Sequence, residues 1–193
     1  MKKLKLILGC VLTLALSGCD KLGGIGGGHI PTSDKEIKSV AVDMGRYAGF
    51  TDKDHAFKRI TFKESLRFFD EKRSGVVYYG SSDCPYCIQV VPVLNEVAKS
   101  YDLTVYYVDV HGEDKIQEND IERYLDLAFD HLEKDEEGNA LFYIPQIFVF
   151  VDGEIVASHL GAVDSYDTKI GNMSNSQVNE LKKILKKMMT PFK

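Results

Sequence analysis

The sequence is poor in several residue types whose absence limits what the protein can be. Its 193 residues include no tryptophan, five prolines and four cysteines, too few cysteines for a disulfide scaffold. Basic residues are not in excess, and the formal net charge of −5 argues against a general nucleic-acid binder. Hydrophobic residues make up 44% and charged residues 27%, the balance of a globular domain that can bury its own core.

Residues 1–19 are typical of an export signal that ends in a lipid attachment site. Three lysines precede an apolar run over residues 6–16, which is too short to span a bilayer as a stable helix. The run ends in Leu16-Ser17-Gly18-Cys19, which resembles the bacterial lipobox and implies cleavage before Cys19 and lipidation of its thiol. An ordinary signal peptide or a short membrane anchor is the alternative.

We therefore expect a signal peptide over residues 1–18, a lipidated cysteine with a glycine-rich tether over 19–29, and one folded domain over 30–193. The protein would lie outside the cytoplasm, anchored by lipid to the bacterial cell membrane, where disulfides can persist. Cleavage removes Cys10 and lipid occupies Cys19, so that Cys84 and Cys87 remain as the thiols of the domain.

Hydrophobic periodicity predicts alternating helices and strands along the folded part. A β-branched and aromatic run at 76–79 suits a buried strand, and Asp152-Gly153 suits a hairpin turn. The predicted helices cover 34–48, 62–73, 87–99, part of 111–138 and a last segment that begins after Ser174; the predicted strands cover 55–60, 76–79, 103–109, 144–151 and 154–159.

The segment 111–138 is unusually acidic, with eleven Asp or Glu against three Lys or Arg. An apolar stripe at helical spacing, including Ile121, Tyr124 and Ala128, still predicts an amphipathic helix there. Its acidic outer face is either a solvated surface or a site for a basic partner.

Cys84-Pro85-Tyr86-Cys87 carries the chemistry. A cysteine that follows a strand and begins a helix meets backbone N–H donors and the positive end of the helix dipole, which both stabilise a thiolate. Cys84 is therefore the candidate nucleophile. Cys87 lies one turn further on the same side and can resolve a mixed disulfide. Pro85 suits the first helical turn because it lacks an N–H.

The CPYC motif, together with the order of predicted strands and helices around it, resembles the thioredoxin superfamily. The resemblance covers roughly residues 55–190. The resemblance implies an α/β fold with a central mixed sheet flanked by helices, here with an N-terminal helical extension and an acidic helical insert. It also implies a cis bond between Ile144 and Pro145, which would present backbone to a bound client. Tyr86 could offer a hydroxyl or a stacking surface at the site.

Two narrower resemblances follow from the same residues. The CPYC motif is typical of glutaredoxins, and Gly161 and Asp164 partly resemble the residues that hold glutathione there. The Val-Val-Tyr strand, the CPYC-like site and the late Ile-Pro strand also resemble Gram-positive lipoproteins described as bacteriocin transport accessory proteins.

The sequence departs from thioredoxin at two positions beside the cysteines. Asp83 stands where thioredoxins have a tryptophan, and Tyr78 stands where they have a buried aspartate. A negative charge at Asp83 is expected to raise the pKa of Cys84 and so to oppose the helix dipole, which leaves the sign of the net shift open.

We therefore predict a membrane-anchored thiol–disulfide oxidoreductase that exchanges disulfides with protein clients and an unidentified redox partner, in the service of cell redox homeostasis. No cofactor, metal or nucleic acid is implied. A zinc site lacks a second cysteine pair in the mature chain. A glutathione-linked enzyme and a non-catalytic adaptor with a structural Cys84–Cys87 disulfide are the alternatives.

Overall fold

The computed structural model describes residues 36–193. The predicted signal peptide, Cys19 and the glycine-rich tether lie outside the described residues. Within the described part, no helix combines the length and the apolar character needed to cross a membrane.

A five-stranded mixed sheet forms the centre of the domain. Its strand order is β1-β3-β2-β4-β5, in which β1, β3 and β2 run parallel while β4 and β5 run antiparallel to their neighbours. The strands are β1 Phe57–Arg59, β2 Gly75–Gly80, β3 Val105–Asp109, β4 Gln146–Val151 and β5 Glu154–Leu160; the helices are α1 Phe62–Asp70, α2 Pro85–Ser100, α3 Glu118–Leu127 and α4 Asn175–Met188.

Side-chain caps fix where the helices begin. The N–H of Glu64 donates to the hydroxyl of Thr61 at the start of α1. Ser174 and Gln177 form a reciprocal capping box at the start of α4. These caps satisfy N–H groups that have no partner inside their own helix, and the cap at Ser174 agrees with the predicted start of the last helix.

The sheet is covered on both faces. The α2 face is the cluster that packs α2, α4 and residues 44–50 against the sheet and includes Tyr78, Cys87, Leu94 and Leu181. The α1 face is the opposite cluster, which packs α1 and α3 against the sheet. β2 lies between the two clusters and is buried along its whole length, as expected for a central strand.

The predicted helix over 34–48 is wrong for the described residues. Val40 instead pairs with Arg59 on β1 through two backbone hydrogen bonds of 2.9 and 2.8 Å. Within residues 36–48 the only helical turn is the 3-10 helix Met44–Arg46. The helical spacing misled because Met44 and Tyr47 are buried whereas Val40 is 54% exposed, so these residues do not share one buried stripe. This N-terminal extension, residues 36–50, pairs with the edge strand β1 at Val40 and places Tyr47 in the α2 face.

The acidic insert contains the predicted amphipathic helix, α3. Tyr124 and Ala128 are fully buried, while the acidic side chains of the helix itself face outward or sit at intermediate depth. The remaining predicted helices and strands are present, with ends that differ by a few residues.

Candidate active site

The two cysteines lie where the loop after β2 leads into the start of α2. Cys84 is the residue that caps α2, and its sulfur accepts a hydrogen bond from the N–H of Cys87 at 3.3 Å. Both cysteines are free thiols. Cys84 is partly exposed and Cys87 is fully buried, so that solvent reaches the first cysteine and not the second. Pro85 occupies the first position of the helix.

The surroundings of Cys84 favour its thiolate. Hydrogen bonding from the Cys87 thiol, followed by the backbone N–H groups of Cys87 and Tyr86, lowers the pKa of Cys84 from 9.0 to about 6. Burial and the negative charge of Asp83 act in the opposite direction. Asp83 thus raises the pKa of Cys84 as the sequence predicted, but the donors at the helix start outweigh it.

Cys87 is held in the opposite state. Its hydrogen bond to Cys84 and its burial raise the pKa of the Cys87 thiol well above 9.0. The hydroxyl of Tyr78 and the backbone of Ser81 lower the pKa of Cys87 and oppose that rise. The reduced site therefore holds one thiolate and one neutral thiol.

A backbone carbonyl in the segment just before β4 faces the Cys84 sulfur. The Ile144–Pro145 peptide bond is cis, as the resemblance implied. The carbonyl oxygen of Ile144 lies 4.0 Å from the Cys84 sulfur. The carbonyl of Pro145 accepts a hydrogen bond from the N–H of Gly161, which joins this segment to the end of β5.

Aromatic side chains lie on or against the segments that carry Cys84 and Ile144. Tyr86 is exposed and its ring meets that of Tyr166 edge-to-face, with 5.6 Å between ring centroids. Tyr143, next to Ile144, is 51% exposed. Tyr143 and Tyr166 were missed by sequence reasoning, because only the folded chain brings their loops beside α2.

Asp83 belongs to a small polar cluster at the same rim. Its carboxylate accepts hydrogen bonds from the Ser81 hydroxyl at 2.5 Å and pairs with Nδ1 of His111 at 3.0 Å. These partners lower the pKa of Asp83, so the carboxylate stays charged beside Cys84. His111 follows β3 and had shown no pattern in the sequence.

Three buried tyrosines extend from Cys87 into the α2 face, and we call Tyr78, Tyr47 and Tyr107 the tyrosine chain. The Tyr47 hydroxyl donates to that of Tyr107 at 3.0 Å and lies 3.5 Å from that of Tyr78. Tyr78 and Tyr107 are register neighbours on β2 and β3, and their rings stack. Strand register could have paired these two, but nothing in the sequence placed Tyr47 beside them.

Gly161 and Asp164, the two residues that resemble a glutathione site, lie just after β5. Asp164 is exposed, while Gly161 has the positive φ of a turn glycine. Over residues 36–193, no group of three or more His, Cys, Asp or Glu side chains is arranged to hold a metal ion.

Comparison with protein families gives one match. The family model described as TraF, F plasmid transfer operon protein, matches residues 63–126, which run from α1 through β2, both cysteines, α2 and β3 into α3. That is less than half of the chain. Among curated proteins, no sequence match was found.

Solved structures with low similarity include several thioredoxins. Oxidised thioredoxin O2 from Arabidopsis thaliana is 19% identical, with 71% of this chain and 97% of that chain covered at a TM-score of 0.43. Thioredoxin f2 from Chlamydomonas reinhardtii is 15% identical, with 54% and 83% covered at 0.37. Mitochondrial thioredoxin 3 from Saccharomyces cerevisiae is 13% identical, with 54% and 83% covered at 0.36.

These scores are too low to carry the assignment, which rests on the topology. A mixed sheet with helices on both faces is the fold that the resemblance implied, and the structure adds the strand order β1-β3-β2-β4-β5 with the cysteine pair where β2 meets α2. The chain has the α/β fold of the thioredoxin superfamily.

Proposed function

We propose that this protein is a thiol–disulfide oxidoreductase that acts on protein clients through Cys84 and Cys87. The observation that carries the proposal is the unlike state of two neighbouring thiols. Cys84 is accessible and has its pKa lowered to about 6, whereas Cys87 is buried and neutral. A low-pKa, accessible thiolate beside a second thiol is the arrangement that disulfide exchange requires.

The reaction takes two exchanges of sulfur. The Cys84 thiolate attacks a client disulfide, forms a mixed disulfide and releases one client thiolate. Cys87 then loses its proton and attacks the Cys84 sulfur, which closes the Cys84–Cys87 disulfide and releases the second client thiolate. Run in reverse, the same steps oxidise a client dithiol and reduce the pair.

The groups beside Cys84 suit an extended polypeptide. The Ile144 carbonyl faces the sulfur, and the Pro145 segment borders it at the end of the sheet. An added peptide strand is recognised through such backbone groups, with side-chain pockets giving specificity. Tyr86 and Tyr143 expose aromatic surface that would contact client side chains on either side of the cysteine.

We further propose that the enzyme works outside the cytoplasm, attached through Cys19. The lysine-rich start, the short apolar run and the lipobox-like residues support this location. A Cys19→Ser chain expressed in a Gram-positive host should leave the membrane fraction, while Cys10→Ser should stay in it. Equal membrane retention of Cys19→Ser and the unchanged chain would contradict lipid attachment.

The reduction potential of the Cys84–Cys87 pair tests the activity. Thiol trapping of the purified protein in defined redox buffers gives the value. About −120 to −180 mV would identify an oxidant or isomerase, and about −270 mV a reductant that needs an electron donor. A value below about −300 mV is that of a structural disulfide and would contradict the proposal.

A double variant separates exchange from binding. Cys84→Ser with Cys87→Ser should lose all disulfide exchange with a model client, whether the client is supplied reduced or with scrambled disulfides. If this variant handled the client as well as the unchanged protein, the non-catalytic adaptor would be the better interpretation.

A further inference from the structure

Closing the disulfide requires a proton to leave a buried thiol. Cys87 is fully buried and its thiol is neutral in the reduced site. Only the thiolate attacks a disulfide, so Cys87 must give up its proton while it is surrounded by apolar side chains. An accepting group must therefore lie within reach of this sulfur.

The tyrosine chain lies next to that sulfur. The Tyr78 side chain shares the buried cluster with Cys87, and the two groups lie close enough for each to shift the pKa of the other. The end of the Tyr78 side chain folds back over Gly80. A Cβ at Gly80 would lie 2.2 Å from the Tyr78 hydroxyl oxygen, so the absence of a side chain there allows Tyr78 its position.

The other end of the chain reaches a pocket that opens beside the active-site loop. Tyr47, Tyr107, Asp109 and Ser82 line this pocket, which has a volume of about 220 Å³. Asp109 is partly exposed, and its charge adds to burial in raising the pKa of the Tyr107 hydroxyl. A carboxylate and a pocket large enough for several water molecules thus meet the last hydroxyl.

We propose that the tyrosine chain carries the proton of Cys87 to Asp109 when Cys87 closes the disulfide. This inference rests on the proposed function and assigns a route for its second step. It gives the first proton transfer to Tyr78, which shares the buried cluster with the reacting thiol, and relay roles to Tyr47 and Tyr107.

Each hydroxyl accepts one proton and releases its own. The proton of Cys87 passes to Tyr78, whose proton passes to Tyr47 and then through Tyr107 to the Asp109 carboxylate or to water in the pocket. Tyr47 already donates to Tyr107, which is the direction this transfer needs. Burial raises the pKa of all three tyrosines, so none of them holds the charge.

The electron pair left on the Cys87 sulfur forms the new bond. It attacks the Cys84 sulfur, the bond between Cys84 and the client sulfur breaks, and the client leaves as a thiolate. The balance needs no further oxidant, because the client disulfide supplies the oxidising equivalents.

Stopped-flow reaction with dithiobisnitrobenzoate, a chromogenic disulfide, separates the two steps. The first coloured thiolate reports attack by Cys84 and the second reports resolution by Cys87. We expect Tyr47→Phe to slow the second release by about a hundredfold or more, the lower end of the range for a lost proton-transfer group, and to leave the first unchanged. Asp109→Asn should also slow the second release, as Tyr47→Phe does.

A solvent isotope measurement distinguishes a relay from a structural effect. In mixtures of H₂O and D₂O, the second release of the unchanged protein should depend on isotope content in a curved way, because several protons move together. In Tyr47→Phe the curvature should be lost. Tyr124→Phe is the matched control, since Tyr124 is also buried and its hydroxyl has no hydrogen-bond partner among the described residues.

The outcomes are distinct for the relay and for the activity. Two releases at unchanged rates in Tyr47→Phe would overturn the relay and leave the proposed function standing. Equal slowing by Tyr124→Phe would also overturn it. If the unchanged protein released a single thiolate, both would fail. A normal second release that depends on Tyr47, in a protein whose disulfide cannot exchange with protein clients, would support the relay and contradict the proposed function.

Discussion

The two faces of the sheet bury the same kinds of residue but arrange their polar groups differently. On the α1 face the Tyr79 hydroxyl donates to Ser65 at 2.9 Å, and the Tyr124 hydroxyl has no partner among the described residues. On the α2 face, the hydroxyls of the tyrosine chain bond to one another and lead to Cys87.

Tyr78 and Tyr79 show what separates the faces. They are consecutive on β2, and both are fully buried. Because side chains alternate along a strand, one enters the α2 face below the cysteines and the other enters the aromatic α1 face. Burial alone therefore does not distinguish a structural tyrosine from a functional one; the partners of its hydroxyl do.

The largest expected effect is at the cysteine on the α2 face. In Cys84→Ser, the first release from dithiobisnitrobenzoate should disappear, because a hydroxyl does not replace the thiolate as nucleophile. Cys87→Ser should retain the first release and stop at the mixed disulfide, which mass spectrometry detects. Should Cys84→Ser still react through Cys87, the assignment of the two roles would be wrong.

Gly80→Ala should disrupt the α2 face specifically. The added methyl would lie 2.2 Å from the Tyr78 hydroxyl oxygen and 2.4 Å from the ring carbon that bears it. Overpacking of this kind costs about 1–3 kcal/mol of unfolding free energy. Denaturant unfolding measures that loss, and the stopped-flow assay should show a slower second release.

The outcome depends on whether Tyr78 moves. If Gly80→Ala unfolds like the unchanged protein and resolves at the same rate, the approach of Tyr78 to Gly80 does not constrain the site. Tyr79→Phe is the control for this variant. It changes the same strand on its other face and should leave the second release unchanged.

The fold was largely predictable because its signals are local. The buried run of β2, the capping residues of α1 and α4 and the Asp152-Gly153 turn each act within a few residues of sequence. The acidic insert was also predictable as a helix, since its apolar stripe persists despite its charge.

The extension was not predictable in the same way. Its apolar residues have helical spacing, but its backbone hydrogen bonds at Val40 go to Arg59 on a strand that begins 17 residues later. Tertiary pairing overrode the local pattern. The same long-range contact positions Tyr47, so the error about the extension and the failure to foresee the tyrosine chain have one cause.

In the cysteine site too, local contacts were predictable from the sequence and long-range contacts were not. Cys84 and Cys87 are three residues apart, and one helical turn brings them together whatever the rest of the chain does. Tyr166, His111 and Tyr47 reach the site from distant segments. Only the folded chain shows these neighbours.

The α1 face should respond to hydroxyl removal through stability alone. Tyr79→Phe breaks the bond to Ser65 and should cost about 0.5–1.5 kcal/mol of unfolding free energy. Tyr124→Phe removes a hydroxyl without a partner among the described residues and should be neutral or slightly stabilising. Denaturant unfolding of the two variants compares them, and a larger loss in Tyr124→Phe would show that its hydroxyl has a partner.

The smallest expected effect concerns the exposed charge beside Cys84. Alkylation of Cys84 by iodoacetamide should follow its thiolate, with a midpoint near pH 6. Since the folded pKa lies below the ordinary 9.0, the thiolate also stabilises the reduced fold; this stabilisation is complete above pH 9 and is lost as the pH falls through 6.

Asp83→Asn should shift the alkylation midpoint slightly downward, because the Asp83 charge raises the pKa of Cys84. The shift is small because that charge is exposed and already paired with His111, whereas the buried donors at the start of α2 dominate. Asp152→Asn at the far end of β4 removes the same charge and should leave the midpoint unchanged. An upward shift in Asp83→Asn would mean that the carboxylate stabilises the thiolate through Ser81 or His111, and that the exposed rim governs Cys84 as strongly as the buried face governs Cys87.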